Sequence, residues 1–344
     1  VLGRINHVEK KFAGTLEDIA NDENLLLAWR EFVRDKKAKH DVADFSLRLM
    51  DNILALRGDL VNGTYRHGGY TAFNISDPKP RNIHKATVSD RLVHHAIYRV
   101  LYQFFDRCFI ADSFSCRNDK GTHRALDRFR AFFRKVGRND TRTAWVLKCD
   151  IRKFFANIDH EILLGILRSH ITDEGILSLL AEVIGSFSST RPGVGLPLGN
   201  LTSQLLVNIY MNEFDQFVKH ALRVKYYLRY ADDFVFLSPD RGELERLLPE
   251  VRAFLREPLR LELHPDKVFI ETVASGVDFL GWVHFPDHRV LRTATKRRMW
   301  KRLAEHPTES TFNSYLGLLG HGNTRKLSEV VLRLRPPQEN PGSV

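Results

Sequence analysis

An α+β fold with an antiparallel sheet is the architecture this sequence predicts, and two observations predict it. Short apolar runs of strand length alternate with longer stretches of helical period along the 344 residues. Two of those runs, 224–229 and 234–238, are joined only by Tyr230-Ala231-Asp232-Asp233, a hairpin-length link. Parallel neighbours would need a long crossover, so this pair is antiparallel.

The elements follow in order. Residues 16–60 are expected to be mostly helical, since Leu47, Met50, Ile53 and Leu54 recur at three- and four-residue steps. Gly58 and Gly63 interrupt that stretch, and 65–75 is expected to be extended. Pro78 and Pro80 set a rigid turn carrying Lys79 and Arg81. A helix is expected over 88–105, where the adjacent His94 and His95 point in different directions as packing or surface residues. The run 145–150 (WVLKCD) is short, apolar and bounded by charge, which suits a buried strand. A helix over 160–169, a Gly/Pro/Ser-rich loop over 186–199 and a long helix over 201–222 come next. Past the hairpin, 243–256 is expected to be helical and 259–263 and 277–284 extended. Residues 293–334 are basic and helical, broken by Pro307 and by Gly320-His321-Gly322, and the proline-containing tail 336–341 is irregular.

Basic residues number 52 against 42 acidic, a net charge of +10. The excess is uneven: residues 107–153 hold thirteen Lys/Arg against five Asp/Glu, and 292–302 hold six with no acid. Such stretches neutralise phosphates, which points to nucleic acid, although charge alone also fits a solvated surface. No run of eighteen apolar residues occurs, and VLGRINHVEK at the start has no signal-like apolar stretch. The first residue is Val1 rather than Met, the expectation for a processed or trimmed chain. Cys108, Cys116 and Cys149 are scattered, so they are expected to be reduced, buried, small apolar residues of a cytoplasmic protein.

The chemistry centres on acids. Asp232 and Asp233 are adjacent at a strand turn between apolar runs, and like charges at that distance raise each other's pKa unless a cation compensates. Asp150 ends another apolar strand and supplies a third carboxylate. Hard oxygen ligands completed by substrate phosphates suit Mg²⁺, and two such ions support an in-line phosphoryl displacement. An Asp-Asp pair by itself is weak evidence. Gly193, Gly195 and Gly199 are not a P-loop, because no Lys-Ser/Thr follows, and they let backbone approach a ligand closely instead.

The order of the segments is more specific. LKCDIRKFFANID, GLPLGNLTSQLLVNIYMNEFD, YYLRYADDFVFLS, LELHPDKV and FLGW, with PKPRNIHKA and FSCRNDKGTHRAL upstream, resemble the ordered core motifs of reverse transcriptases over residues 49–281. The resemblance implies a right-hand polymerase: fingers over 1–140 and 158–200, palm over 141–157 and 201–288, and a basic helical thumb over 289–344. It implies two Mg²⁺ ions, with Mn²⁺ as a substitute, held by Asp150, the Ile151 carbonyl, Asp232 and Asp233. It matches Phe155 to a gate that collides with a ribose 2′-OH and so favours deoxynucleotides, and Lys79 and Arg81 to the grip on the incoming triphosphate. Lys267 resembles a basic residue near the palm–thumb join, with nucleotide or template phosphate as its partner. Leu198 and Gly199 in the loop, with Gln204 just inside the helix that follows, match positions that meet the nascent base pair in the family, and core packing is the alternative for Phe155 and Leu198.

GLPLGNLTSQ and SYLGLLGHGNT resemble the diversity-generating retroelement branch. Many relatives carry Gln where this chain has Leu198, and Leu cannot make a hydrogen bond, so error-prone copying is expected, most of all at template adenines. That branch implies a template RNA, an RNA/cDNA duplex and a small basic accessory protein as partners. An intact intron enzyme is expected to carry a maturase or endonuclease module after the thumb, and the sequence ends soon after that stretch. A group II intron-like or defence-associated reverse transcriptase, and a catalytically silent RNA-binding scaffold, are the alternatives.

Overall fold

The computed structural model describes residues 10–76 and 80–335. Four helices open it, Leu16–Ala20, Asp22–Phe32, His40–Leu47 and Leu49–Val61. Strands β1 (Tyr70–Ile75) and β2 (Arg81–Ala86) then pair antiparallel as a separate ribbon, with Ile75 opposite Arg81. Helices Val88–Asp106 and Thr122–Val136 precede β3 (Trp145–Asp150), and helices His160–His170, Glu174–Gly185 and Leu201–Gln216 follow it. Strands β4 (Tyr227–Tyr230) and β5 (Asp233–Ser238) form the expected hairpin. Helix Arg241–Arg256 and strand β6 (Phe269–Thr272) complete the central sheet. Its order is β4-β5-β3-β6, and every pairing is antiparallel. A second sheet of β7 (Val277–Phe279), β8 (Trp282–His284) and β9 (Arg289–Leu291) leads into three helices, Thr293–Glu305, Glu309–Leu319 and Arg325–Arg333. Side chains at helix starts satisfy free N–H groups: Asn21, Thr87, Asp159 and Asp173 each accept a backbone bond.

The central sheet is covered on both faces, which is why its strands are almost continuously apolar. Leu147, Cys149, Phe234 and Phe236 face one core, with Tyr210 and Phe214 of helix Leu201–Gln216 and Val251 and Leu255 of helix Arg241–Arg256. Val146, Val235 and Leu237 face another, with Phe129 and Phe133 of helix Thr122–Val136, and with Trp282 and Met299. Burial of such aromatic and aliphatic area supplies the main driving force. The sheet is thereby held between two cores, and the end where β3 stops and the β4–β5 turn begins carries the acids.

Several expectations are corrected. Gly58 lies inside helix Leu49–Val61 rather than interrupting it, and 277–284 is a hairpin of two strands rather than one extended run. Residues 259–263 form no strand: Leu259 and Leu261 are buried, but the only ladder contact is an isolated bridge between Ile151 and Leu263, because β3 has already ended. Cys149 is buried and Cys108 half-buried, as small apolar residues would be, but Cys116 is exposed, on a loop where its φ of 53° is left-handed. All three thiols are free. Among the described residues no helix is long and apolar enough to cross a membrane.

Candidate active site

The end of the central sheet brings the three acids together through strand register. Asp150, the last residue of β3, lies directly opposite Asp233, the first of β5, and Tyr230 of β4 faces Asp233 on its other side. Ala231 and Asp232 are therefore the two central residues of the turn. The Ile151 N–H donates to the Asp232 carbonyl at 3.2 Å, which fastens the two acid-bearing loops to each other. Ala231 adopts φ 55°, a region that non-glycine residues avoid, so the turn is held in a conformation the chain would not choose locally.

Electrostatics mark the same place. The Asp232 carboxyl is pushed above the usual range by burial, and the Asp150 carboxylate pushes it the same way; its own backbone N–H, Lys267 and Arg81 pull against them. Lys267 reaches Asp150 directly, with Nζ 2.9 Å from Oδ1. The turn that carries Lys267 is tied to the strand end, since the His264 N–H donates to the Asp150 carbonyl at 2.8 Å. Buried negative charge is thus gathered at this point and only partly compensated. Among the described residues no three His, Cys, Asp or Glu side chains stand close enough to hold a metal ion alone. The carboxylates of Asp150 and Asp232 are donors of the hard-oxygen type that Mg²⁺ or Mn²⁺ would take.

Phe155 lies on a short 3₁₀ turn, Phe154–Asn157, five residues after Asp150. Its ring is half-buried against Phe154, edge to face at 5.6 Å between centroids. The glycine-rich loop is stapled to this segment: the Leu196 N–H donates to the Phe155 carbonyl and the Gly195 N–H to the Ile158 carbonyl, both at 2.8 Å. At its other end the loop is stapled to β2. The His84 N–H donates to the Leu198 carbonyl and the Asn200 amide to the His84 carbonyl, both at 3.0 Å. Gly199 has φ 101°, and a Cβ there would stand 2.7 Å from Ile83 Cγ2, so glycine is required by both conformation and space. Leu198 is therefore pinned by its backbone between the Phe155 turn and the ribbon that carries Arg81. Gln204, one helical turn later, lines a cleft of about 410 Å³ with Gly199, Ile83 and Lys85. Lys79 lies outside the described residues.

Sequence reasoning missed what lies beneath the turn. Arg229 and Asp215 form a fully buried ion pair, Nη2–Oδ2 2.7 Å and Nε–Oδ1 2.9 Å. Arg229 alone carried a local signal, as a charge inside the aromatic and aliphatic run Tyr226–Tyr230, whereas Asp215 follows Asn212 and Glu213 and has nothing local to mark it.

Residues 76–284 match the family described as reverse transcriptase (RNA-dependent DNA polymerase). The chain is 27% identical over 307 residues to Protein YkfC of Escherichia coli K12, covering 77% of this chain and 78% of that one. It is 23% identical over 290 residues to the group II intron-encoded protein LtrA of Lactococcus lactis, covering 65% of this chain. The chain spans about half of that relative, 47% of its length. A solved apo telomerase from Candida tropicalis, truncated from its C-terminal domain, aligns over 71% of this chain and 60% of that one, with TM-score 0.48 and 12% identity.

Proposed function

The chain belongs to the reverse transcriptase (RNA-dependent DNA polymerase) family, and from that premise we propose that it extends a primer with deoxynucleotides at the end of the central sheet, using Asp150, Asp232 and Asp233. The observation that carries this reading is the register of Asp150 on Asp233, with Asp232 in the turn and electrostatically coupled to Asp150. Divalent metal use goes with the family. Mg²⁺ ions, or Mn²⁺ in their place, would be held by Asp150 and Asp232, with Asp233 and the Ile151 carbonyl adjoining, and would supply charge that activates the primer hydroxyl and steadies the leaving pyrophosphate. Arg81, whose charge already acts on Asp232, grips the triphosphate with Lys79. Phe155 closes the space a ribose 2′-OH would need, and Leu198, Gly199 and Gln204 line the path of the nascent pair.

In this reading the hand divides as fingers 1–140 and 158–200, palm 141–157 and 201–288, and thumb 289–344. The thumb's helix Thr293–Glu305, with five Lys/Arg and one Glu, lies along the duplex backbone and makes sequence-blind, salt-sensitive contacts. Within the family, GLPLGNLTSQ and SYLGLLGHGNT support the diversity-generating branch, in which error-prone cDNA is copied from a template RNA with a small basic accessory protein. A group II intron-like activity is the second reading, favoured by the likeness to LtrA. Genomic repeats beside the gene that differ mainly at adenines separate the two.

Primer extension on RNA with Mg²⁺ tests the reading, comparing the chain with Asp232→Ala. Extension by the first and not the second is expected. If neither extends a primer with accessory protein and template RNA present, the chain is an RNA-binding scaffold of polymerase fold.

A further inference from the structure

We propose that Arg229 is a positioning residue for the acid turn: from inside the core it holds the Ala231–Asp232 peptide plane, and so sets where the Asp232 carboxylate points. The proposal rests on the reading of Asp232 as a metal-binding acid.

Arg229 is buried completely and spends each part of its guanidinium differently. Nε and Nη2 form the fork onto Asp215. Nη2 also donates to Ser113 Oγ at 3.1 Å, and Nη1 to Asn208 Oδ1 at 3.3 Å. The remaining bond leaves the cluster: Nη1 donates to the Ala231 carbonyl at 3.2 Å. That cluster is itself fixed. Tyr227 donates its hydroxyl to Asp215 Oδ1 at 2.7 Å, and the Asn208 amide donates to the Ser115 carbonyl at 2.9 Å. The Arg229 backbone is clasped as well, donating to the Asp112 carbonyl at 2.9 Å and accepting from the Phe114 N–H at 3.0 Å.

A peptide unit is planar, so the Ala231 carbonyl and the Asp232 Cα move as one body. Holding that oxygen restrains the plane from which the Asp232 Cα–Cβ bond departs, leaving only the φ and side-chain torsions of Asp232 to set its carboxylate. The hold is needed because Ala231 has φ 55°, where an alanine is strained and a glycine would not be. A rigid, fully satisfied charge cluster in the low-dielectric core does this better than a surface contact. Arg is required over Lys, because only a planar fork can grip Asp215 and reach the turn at once.

The test compares Arg229→Lys, Ala231→Gly, the double variant and Asp232→Ala. Each is assembled with an RNA template, a 3′-dideoxy-terminated DNA primer and the matching deoxynucleotide, and bound Mn²⁺ is counted by electron paramagnetic resonance. The Mg²⁺ concentration for half-maximal single-nucleotide incorporation is measured beside it with an extendable primer. Arg229→Lys is expected to weaken Mn²⁺ binding and raise the Mg²⁺ requirement by about tenfold, the usual scale for losing a residue that orients a metal ligand. Primer–template affinity stays unchanged. Ala231→Gly alone is near neutral, and in the Arg229→Lys background it restores much of the loss, because glycine takes the positive φ unaided. If Arg229→Lys does not fold, Arg229→Met with Asp215→Asn keeps the core neutral and leaves Tyr227 its acceptor, and it is expected to show the same metal defect. A lower melting temperature with wild-type metal dependence, or no rescue by glycine, overturns the proposal. Failure of the underlying reading looks different: the wild-type chain would neither incorporate nucleotide nor lose Mn²⁺ on Asp232→Ala.

Discussion

Lys267 holds its ammonium 2.9 Å from Asp150 Oδ1, at the strand end where Asp150 and Asp232 load negative charge onto each other. The lysine is therefore a fixed counter-charge of the acid site, and its effect extends to Asp232, whose carboxyl it pulls downward against burial. Lys267→Met removes that pull. Asp232 then titrates at higher pH still, and since the ionised carboxylate is the form that binds a cation, the acid limb of the pH–rate profile for single-nucleotide incorporation moves to higher pH. Lys267→Arg keeps the charge and keeps the limb in place. A profile of unchanged shape with a lower plateau would instead assign Lys267 to the phosphates of the substrate.

The raised Asp232 pKa also predicts a conflict between stability and function. A carboxyl whose folded-state pKa lies above its unfolded value contributes stability that is complete below the unfolded value, near 3.8, and is lost as pH rises through the folded value. At neutral pH ionised Asp232 therefore costs stability. Asp232→Asn is expected to raise the melting temperature at pH 7 to 8 while abolishing incorporation, and the gain is expected to vanish below about pH 3.8, where Asp232 is neutral in both states. Thermal melts across that range check it, and a variant less stable than the wild type at pH 7 contradicts it.

Gly199→Ala tests the joint between the glycine-rich loop and the β1–β2 ribbon. The new Cβ would meet Ile83 Cγ2 at 2.7 Å with φ at 101°, so the loop or β2 must shift. Overpacking of this kind costs about 1–3 kcal/mol. Because the contact lies between the Phe155 turn and the strand bearing Arg81, the change is expected to raise KM for the deoxynucleotide several-fold more than it lowers kcat. Steady-state kinetics separate the two, and an unchanged KM would detach the joint from nucleotide binding.

What the sequence made legible follows from range. Trp145–Asp150 and the Asp232 turn were readable because apolar runs bounded by charge announce buried strands and their ends. Strand β2 was not, since RNIHKA is mostly polar and half-exposed, and pairs only with β1 in a ribbon of its own. Leu259 and Leu261 alternate with polar residues like a strand, but they are buried without an adjoining ladder. The alternation reported burial, and burial does not require pairing. Lys267 was singled out by motif, but its partner lies 117 residues away, and no local pattern names it. The same holds for Arg229 and Asp215: Arg229 is visible as an odd charge in an apolar run, Asp215 is not, and only the fold makes them a pair.

Leu198→Gln carries the last prediction. The Leu198 backbone is fixed by its carbonyl bond from His84 and by the glycine that follows, so the side chain can be changed with the loop left in place. Its half-buried isobutyl group offers neither donor nor acceptor to a base pair, and a site without a polar check loses discrimination. Supplying an amide adds a bond that a well-formed pair can make and a distorted one cannot. A hydrogen bond is worth about 0.5–1.5 kcal/mol net, which corresponds to a drop in misincorporation of roughly 2- to 10-fold. The gain is expected to be largest opposite template adenine, as measured by primer extension with single wrong deoxynucleotides on RNA. Correct incorporation is expected to hold or slow slightly, because the amide must be desolvated before it can bond. An error spectrum identical to that of the wild type would make Leu198 a packing residue of the loop and remove the physical argument for low fidelity at this site.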